Sequence, residues 1–322
     1  MPGLTLRQAQ HEALFDTRIS ATDPRWARPM LTRRSRKGLF AAFRYTVLTV
    51  WLVVVVFPLF WIVATSFKRP SEWIAWPPVW WPSDPTLGSY FRIWVSGVFS
   101  ANPETTGLAE VLGPWEALIN TFIIAFTAST LATGFAAVIA YGVSRHNILT
   151  DTQLMATLVL RLIPPFVIAG PLVLYFSVIG LEDSRTGLIL LYMLTTIPYA
   201  LLVLKSFVDD IPREYEQAAQ VLGASRWQVI WEVILPLLKP GIAVTFLFLF
   251  ILNWSEFFLA LILSKTDVST LPMHLNRLGG NSAYGLQAAL AVGATIPLVV
   301  IGLLIRKHLV RGLSFGFVRS RG

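Results

Sequence analysis

Six apolar runs, each long enough to cross a bilayer, dictate what this chain can become. They run from about Phe43 to Phe67, Ala117 to Val143, Leu154 to Ile179, Thr186 to Phe207, Gly241 to Leu263 and Gly285 to Ile305. A crossing helix needs roughly 20 apolar residues. Inside a bilayer every backbone N–H and C=O must be satisfied within the protein, and helices do this locally. An all-α integral membrane protein is therefore expected. The composition agrees, with 55% hydrophobic and 14% charged residues, against about 25% charged in a soluble domain. In the second run Ala132, Ala136 and Ala140 recur every four residues, a spacing that lets a neighbouring helix approach closely. The third run holds Arg161 and the pair Pro164–Pro165, which predict a kink.

The basic residues set the orientation. With the N-terminus inside, the inner segments hold 19 Lys and Arg: nine up to Arg44, Arg145, four from Lys205 to Lys239 and five after the last run. The outer segments hold six: Lys68, Arg69, Arg92, Arg185, Lys265 and Arg277. This asymmetry puts both termini in the cytoplasm. It also accounts for most of the net charge of +8, so no nucleic-acid partner is needed to explain it. Residues 1–42 read as a cytoplasmic, mostly disordered extension, too long before its apolar run to be a cleaved signal peptide. The outer stretch within 43–115 carries Trp73, Trp76, Trp80, Trp81, Trp94 and Trp115. Such a loop lies along the membrane boundary, where tryptophan is favoured, or offers a docking surface to an external protein.

Several chemistries are excluded or weakened. The chain has no cysteine, so disulfides and thiolate metal sites are ruled out. His11, His146, His274 and His308 are far apart in sequence. No Gly-x-x-x-x-Gly-Lys phosphate loop occurs. Gly312-x-Ser314-x-Gly316 matches a nucleophile elbow, but it follows an apolar run where the motif needs a strand. Asn253-Trp-Ser255 lies inside a run and cannot be glycosylated there.

One polar insert interrupts the pattern, "EYEQAAQVLGASRWQVIWEVILPLLKP" from Glu214 to Pro240. Tyr215, Ala218, Ala219 and Leu222 fall on one helical face, opposite Arg213, Glu214, Glu216, Gln217 and Gln220. Pro212 suits the first turn. Gly223 suits the C-terminal turn. After Ala224, Ser225 and Gln228 have capping-box spacing. A second face follows at Trp227, Ile230, Trp231 and Ile234, ended by Pro236. Two short amphipathic helices with a sharp turn are expected. The mixed polar face suits protein docking better than an anionic membrane surface.

Here the sequence resembles the EAA loop of permeases in binding-protein-dependent ABC importers. Ala218–Ala219, Gly223, Val233, Leu235 and Pro236 fall in register with that pattern, while Gln217 replaces its usual glutamate and Glu216 precedes it. "PLFWIVATSFKRPSEW", "NTFIIAFTASTLATGFAAVIAYGVSR", "LIPPFVIAGPLVLYFSVIGLEDS", "IPYALLVLKSFVDDIPREYEQAA", "NWSEFFLALIL" and "GLSFGF" resemble, in order, the second permease of maltose-type carbohydrate importers. The resemblance implies a type I importer permease with six transmembrane helices, a core over 116–310, a coupling loop over 209–240 and a cytoplasmic tail over 311–322. It implies a bacterial or archaeal cytoplasmic membrane, a second permease subunit, two cytoplasmic ATPases and an extracytoplasmic solute-binding protein. ATP and Mg would be bound by the ATPases, with no cofactor or catalytic group in this chain.

By the same resemblance Glu216, Gln217, Ala218, Ala219, Gly223, Ala224, Trp227 and Pro236 would contact the ATPase. Polar groups within spans usually face a cavity or a helix partner. That makes Tyr192, Thr195, Thr196, Tyr199, Asn253, Ser255 and Glu256 candidates for a substrate pathway, with Trp254 able to stack on a sugar ring. The cargo would be a sugar, polyol or glycoside. A secondary transporter or an integral membrane enzyme of lipid-linked sugars is the alternative, but the first would usually show internal repeats and the second clustered acids or histidines.

Overall fold

The computed structural model describes residues 33–96, 114–161, 165–265, 267–279 and 283–317. Among them every regular element is helical. The chain forms two units, residues 1–59 and 60–322. The first contains most of α1 (Arg33–Ser66). That helix begins ten residues before the expected Phe43, so the part of the N-terminal extension from Arg33 onward is helical; residues 1–32 lie outside the described set. The run Arg33–Lys37 holds no proline, and the helix continues through Gly38 into the apolar segment.

Beyond α1 come α2 (Gly88–Tyr90, continued by a π turn over Phe91–Ser96), α3 (Pro114–His146), α4 (Asp151–Arg161) and α5 (Pro165–Val178). Then follow α6 (Arg185–Asp209), α7 (Arg213–Val221), and α8 (Arg226–Gln228, continued by a π turn over Val229–Ile234). The last are α9 (Leu235–Trp254), α10 (Phe258–Leu263), α11 (Leu271–Gly279) and α12 (Tyr284–Phe317). Among the described residues five helical stretches are long and apolar enough to cross a membrane: Phe40–Ser66, Pro114–His146, Arg185–Asp209, Arg226–Trp254 and Tyr284–Leu304.

The expected third span is instead divided into α4 and α5, of 11 and 14 residues, on either side of residues 162–164. Pro164 and the Arg161 side chain lie outside the described residues. The expected fifth span is displaced. Its helix starts at Arg226 and stops at Trp254, and only Phe258–Leu263 resumes beyond the break. The last helix passes Ile305 and continues to Phe317, so Gly312 to Gly316 is helical and no nucleophile elbow exists there.

Around α3 and α6 the bundle is densest. The stripe of Ala132, Ala136 and Ala140 is fully buried and meets Ala200, Leu201 and Leu204 of α6, as small side chains allow. The helix ends follow dipole logic: Pro114 and Glu116 lie in the first turn of α3, and Arg145 and His146 in its last. Ser184 caps α6 by accepting from the Gly187 amide at 3.0 Å. Some buried polar groups are paired across the bundle. Asn253 donates to Ser129 at 2.9 Å, and Arg185 donates to Asn120 at 2.7 Å. The Asn120 amide in turn donates to the Ser269 carbonyl at 3.1 Å.

Candidate functional site

The insert after α6 is built as its sequence dictates at the turn from α7 to α8, while Pro212 stands just before α7 and not in its first turn. Gly223 has φ +89°, a left-handed conformation. Its amide donates to the Gln220 carbonyl at 3.0 Å and the Ala224 amide to the Ala219 carbonyl at 3.0 Å. This is the Schellman pattern of a glycine-terminated helix. Ser225 then caps the next helix: its amide donates to Gln228 Oε1 at 2.8 Å while its hydroxyl accepts from the Gln228 amide.

The second half departs from expectation. It is not a separate short helix ended by Pro236, because α8 runs into α9 as one 29-residue stretch from Arg226 to Trp254. Proline removes a donor and its ring crowds the preceding turn. Here the backbone widens to a π turn over Val229–Ile234, and Pro236 falls in the first turn of α9. The insert is thereby joined directly to a candidate membrane span.

Glu216 fixes α7 to the end of α3. Although it belongs to the face expected to be polar and open, it is buried at 8% exposure. Arg145 Nε donates to Glu216 Oε1 at 2.5 Å, and the Tyr141 hydroxyl donates to Oε2 at 2.9 Å. Arg145 Nη2 also donates to the Ile211 carbonyl at 2.7 Å, and Arg213 donates to the Ser144 carbonyl at 3.1 Å. Ser144 donates to Asp209 Oδ1 at 2.5 Å, and Lys205 to Asp209 Oδ2 at 2.8 Å. The two neighbouring acidic-pattern positions thus have different environments. Glu216 points into the protein, while Gln217 is exposed on the wall of a polar cavity of about 260 Å³. In sequence Arg145 is legible only as a topology charge, and nothing marks Tyr141.

Apart from Glu216 and Ala219, α7 is exposed, with Arg213, Glu214, Gln217 and Gln220 accessible beside its apolar residues. Tyr215, Ala218 and Leu222 are exposed, Leu222 at 88%, together with Val221. Ala219 is half-buried and packs against the α3–α6 core. In α8 and its π turn, Val229 and Ile234 are buried, whereas Trp227 and Trp231 are exposed.

The pathway candidates divide into two groups. Tyr192, Thr196, Asn253 and Trp254 are buried. The Tyr192 hydroxyl donates to the Glu256 carbonyl at 3.3 Å, Thr196 donates to the Tyr192 carbonyl at 2.7 Å, and Trp254 packs 5.4 Å from the Phe250 ring centre. Thr195, Tyr199 and Glu256 are partly accessible. Thr195 donates back to the Tyr192 carbonyl at 3.1 Å, and Ser255 likewise to Ile251 at 2.9 Å. Glu256 Oε1 accepts from the Leu259 amide at 3.0 Å, holding the start of α10.

The tryptophans before α3 also divide. Trp73 and Trp94 dock on α12, where a Cβ at Gly285 or Gly293 would lie 2.4 and 2.3 Å from their indoles. Trp94 donates to the Ala289 carbonyl at 3.3 Å and Trp73 to the Lys68 carbonyl at 3.2 Å. Trp76, at 90% exposure, remains outside this packing. Lys68 is buried with its ammonium 3.8 Å from the Trp61 ring centre. Burial pushes its pKa below 10.5, and the nearby Glu72 charge partly opposes this.

Comparisons with known proteins bear on the whole of this architecture. The profile of the family described as binding-protein-dependent transport system inner membrane component matches residues 132–315. The trehalose transport system permease protein SugB of Mycobacterium tuberculosis is 31% identical, over 82% of this chain and 92% of that protein. The sulfoquinovosyl glycerol transport system permease protein SmoH of Agrobacterium fabrum is 29% identical, over 90% of this chain and 100% of that protein. In fold, the chain is similar to a chain of a bacterial ABC transporter involved in importing the acidic polysaccharide alginate, with TM-score 0.63 at 20% identity over 87% of this chain and 99% of that one.

Proposed function

The chain belongs to the family of binding-protein-dependent transport system inner membrane components, and we propose that its insert is the element through which a cytoplasmic ATPase drives the movement of a carbohydrate. The chain is a transmembrane permease subunit of an ABC importer. Its cargo is a sugar, polyol or glycoside, a reading supported by relatives named for trehalose and sulfoquinovosyl glycerol transport. It forms half of the pathway with a second permease subunit. Two ATPases, which bind ATP and Mg, supply the energy, and this chain carries no cofactor. An extracytoplasmic binding protein delivers the cargo; a similar fold occurs in an alginate transporter in complex with its periplasmic protein, with TM-score 0.57.

The observation that carries the coupling role is the tethering of α7: Glu216 is locked inward to Arg145 while apolar Tyr215, Ala218 and Leu222 are left exposed. An apolar face exposed on a firmly tethered helix fits a cleft in a partner. Glu216 serves the joint, and Gln217, Ala218 and Trp227 lie at the contact. Ala219, Gly223, Ala224 and Pro236 shape the path of the backbone. Closing of the ATPase pair pushes α7, and the continuous Arg226–Trp254 stretch passes the motion into the membrane.

In this reading α4 and α5 together make the third of six crossings, and both termini are cytoplasmic. Residues 1–42 are an inner extension, 43–115 the first crossing with its outer loop, 116–310 the core and 311–322 the inner tail. Thr195, Tyr199 and Glu256 line the pathway, and Tyr192, Thr196, Asn253 and Trp254 hold that wall in place. Reconstitution of the whole complex with Gly223→Asp tests coupling: transport should fall while the complex still assembles. Undiminished transport with substrate-stimulated ATP hydrolysis would refute the role.

A further inference from the structure

Beside the Glu216 joint, two hollows of opposite character adjoin. One is an apolar groove of about 530 Å³ between α3 and the helix from Arg226, walled by Gly134, Val138, Trp227, Trp231, Ile234 and Phe246. The other is the polar cavity, whose lining includes Arg213, Arg226, Gln217, Gln220 and His146. Tyr141 and Ile230 line both, so the two lie side by side. Within the polar cavity Arg145 neutralises Glu216. The remaining charged side chains of its lining are Arg213 and Arg226, both exposed cations. Among the described residues Arg213 donates to a neutral carbonyl, that of Ser144. The groove wall is hollow at Gly134, where a Cβ would meet nothing within 4 Å.

We propose that this pair of hollows is a binding site for one anionic phospholipid, the headgroup phosphate held by Arg213 and Arg226 and an acyl chain laid in the groove past Gly134. The inference rests on the reading that places the insert at the cytoplasmic boundary of the membrane. At that boundary exposed Trp231 is favourably placed. The ligand must carry negative charge at one end to answer two guanidiniums and hydrocarbon at the other to answer an almost wholly apolar wall. An anionic phospholipid has both, a free phosphate lacks the second, and a zwitterionic lipid has no net charge for the first. Since Glu216 forms part of the headgroup cavity, the lipid would brace the joint between α3 and α7.

The test is lipid retention by the purified, delipidated whole complex, followed by native mass spectrometry without nucleotide. The probes are palmitoyl-oleoyl phosphatidylglycerol, the matching phosphatidylcholine and soluble sn-glycerol 3-phosphate. Phosphatidylglycerol should bind, and Arg226→Gln or Gly134→Phe should each weaken it about tenfold, the scale of one lost charge-assisted contact or a blocked apolar slot. Glycerol phosphate should bind more weakly and be indifferent to Gly134→Phe. Co-purification of the other subunits confirms that each variant assembles, with Gly134→Leu as the milder form. Equal retention of phosphatidylcholine would overturn the proposal, as would retention unaffected by both variants. So would a lipid that binds the isolated permease but is excluded from the complex, which would mean that a partner subunit covers the groove. Retention is read without ATP, so the proposal can fail while coupled transport holds, and the reverse.

Discussion

Arg145 at the end of α3 and Glu216 in α7 form an ion pair with Nε to Oε1 at 2.5 Å and side chains only 7% and 11% exposed. The pair makes α7 part of the bundle. A surface pair would contribute little, but removing one partner of a buried pair leaves the other uncompensated, at about 3–5 kcal/mol. Glu216→Met and Arg145→Met should therefore each lower the melting temperature of the complex, and Glu216→Met should uncouple hydrolysis from transport. Arg145→Met with Glu216→Met should recover part of the loss, because no charge remains buried alone. A double-mutant cycle on thermal stability measures the pair; additivity within about 0.5 kcal/mol would show no pair.

Gly223 should not tolerate a side chain, although there is space around it. At φ +89° the obstacle is conformational and local. Gly223→Ala should cost about 1–2 kcal/mol, read as loss of coupled transport. Gly223→Asn should be milder, because asparagine accepts this region better than most residues.

The contact of Trp94 with Gly293 should be intolerant of bulk. A Cβ there would stand 2.3 Å from the indole. Gly293→Val should cost about 1–3 kcal/mol by overpacking, and Trp94→Ala in the same chain should restore part of it. Thermal melting of the single and double variants checks this.

Trp254 should behave as core. It is 4% exposed against Phe250, so Trp254→Ala should cost about 3 kcal/mol or more. Transport should then fall for every ligand in proportion to folded complex. A loss confined to one ligand, with stability intact, would make Trp254 a substrate contact.

The loop after α1 should loosen in acid. Glu72 accepts from the Ser83 hydroxyl, from the Ser83 amide at 3.1 Å and from the Arg69 amide at 3.3 Å. The Ser83 bonds come first in holding its carboxylate below the ordinary 4.5. A depressed acid stabilises the fold above its unfolded value, and that contribution is lost as pH falls through the lowered one. Hydrogen exchange over residues 69–84, corrected for intrinsic rates, should rise below pH 4.5 in the native chain and be nearly flat in Glu72→Gln.

Local signals in the sequence carried the helical class, the Gly223 turn and the Ser225 capping box, because each depends on neighbours a few residues away. The alanine stripe on α3 correctly announced a close helix, since burial on one face follows from periodicity alone. Whether Glu216 or Gln217 faced inward was not legible. That choice depends on Arg145, 71 residues earlier in the chain. Pro236 misled because proline ends most helices, whereas a π turn lets this one continue. The pathway residues looked alike as polar groups in spans, and only tertiary packing separates buried Asn253 from partly accessible Glu256.

The central claim is that the outward face of α7 meets an ATPase. The native chain has no cysteine, so Leu222→Cys provides its sole thiol, on an exposed residue. Attach a photo-cross-linker there in the assembled complex, irradiate, and identify the adduct. The account predicts a cross-link to the cytoplasmic ATPase subunit, weakened by Gly223→Asp. Adducts only with lipid, the partner permease or the binding protein would contradict it.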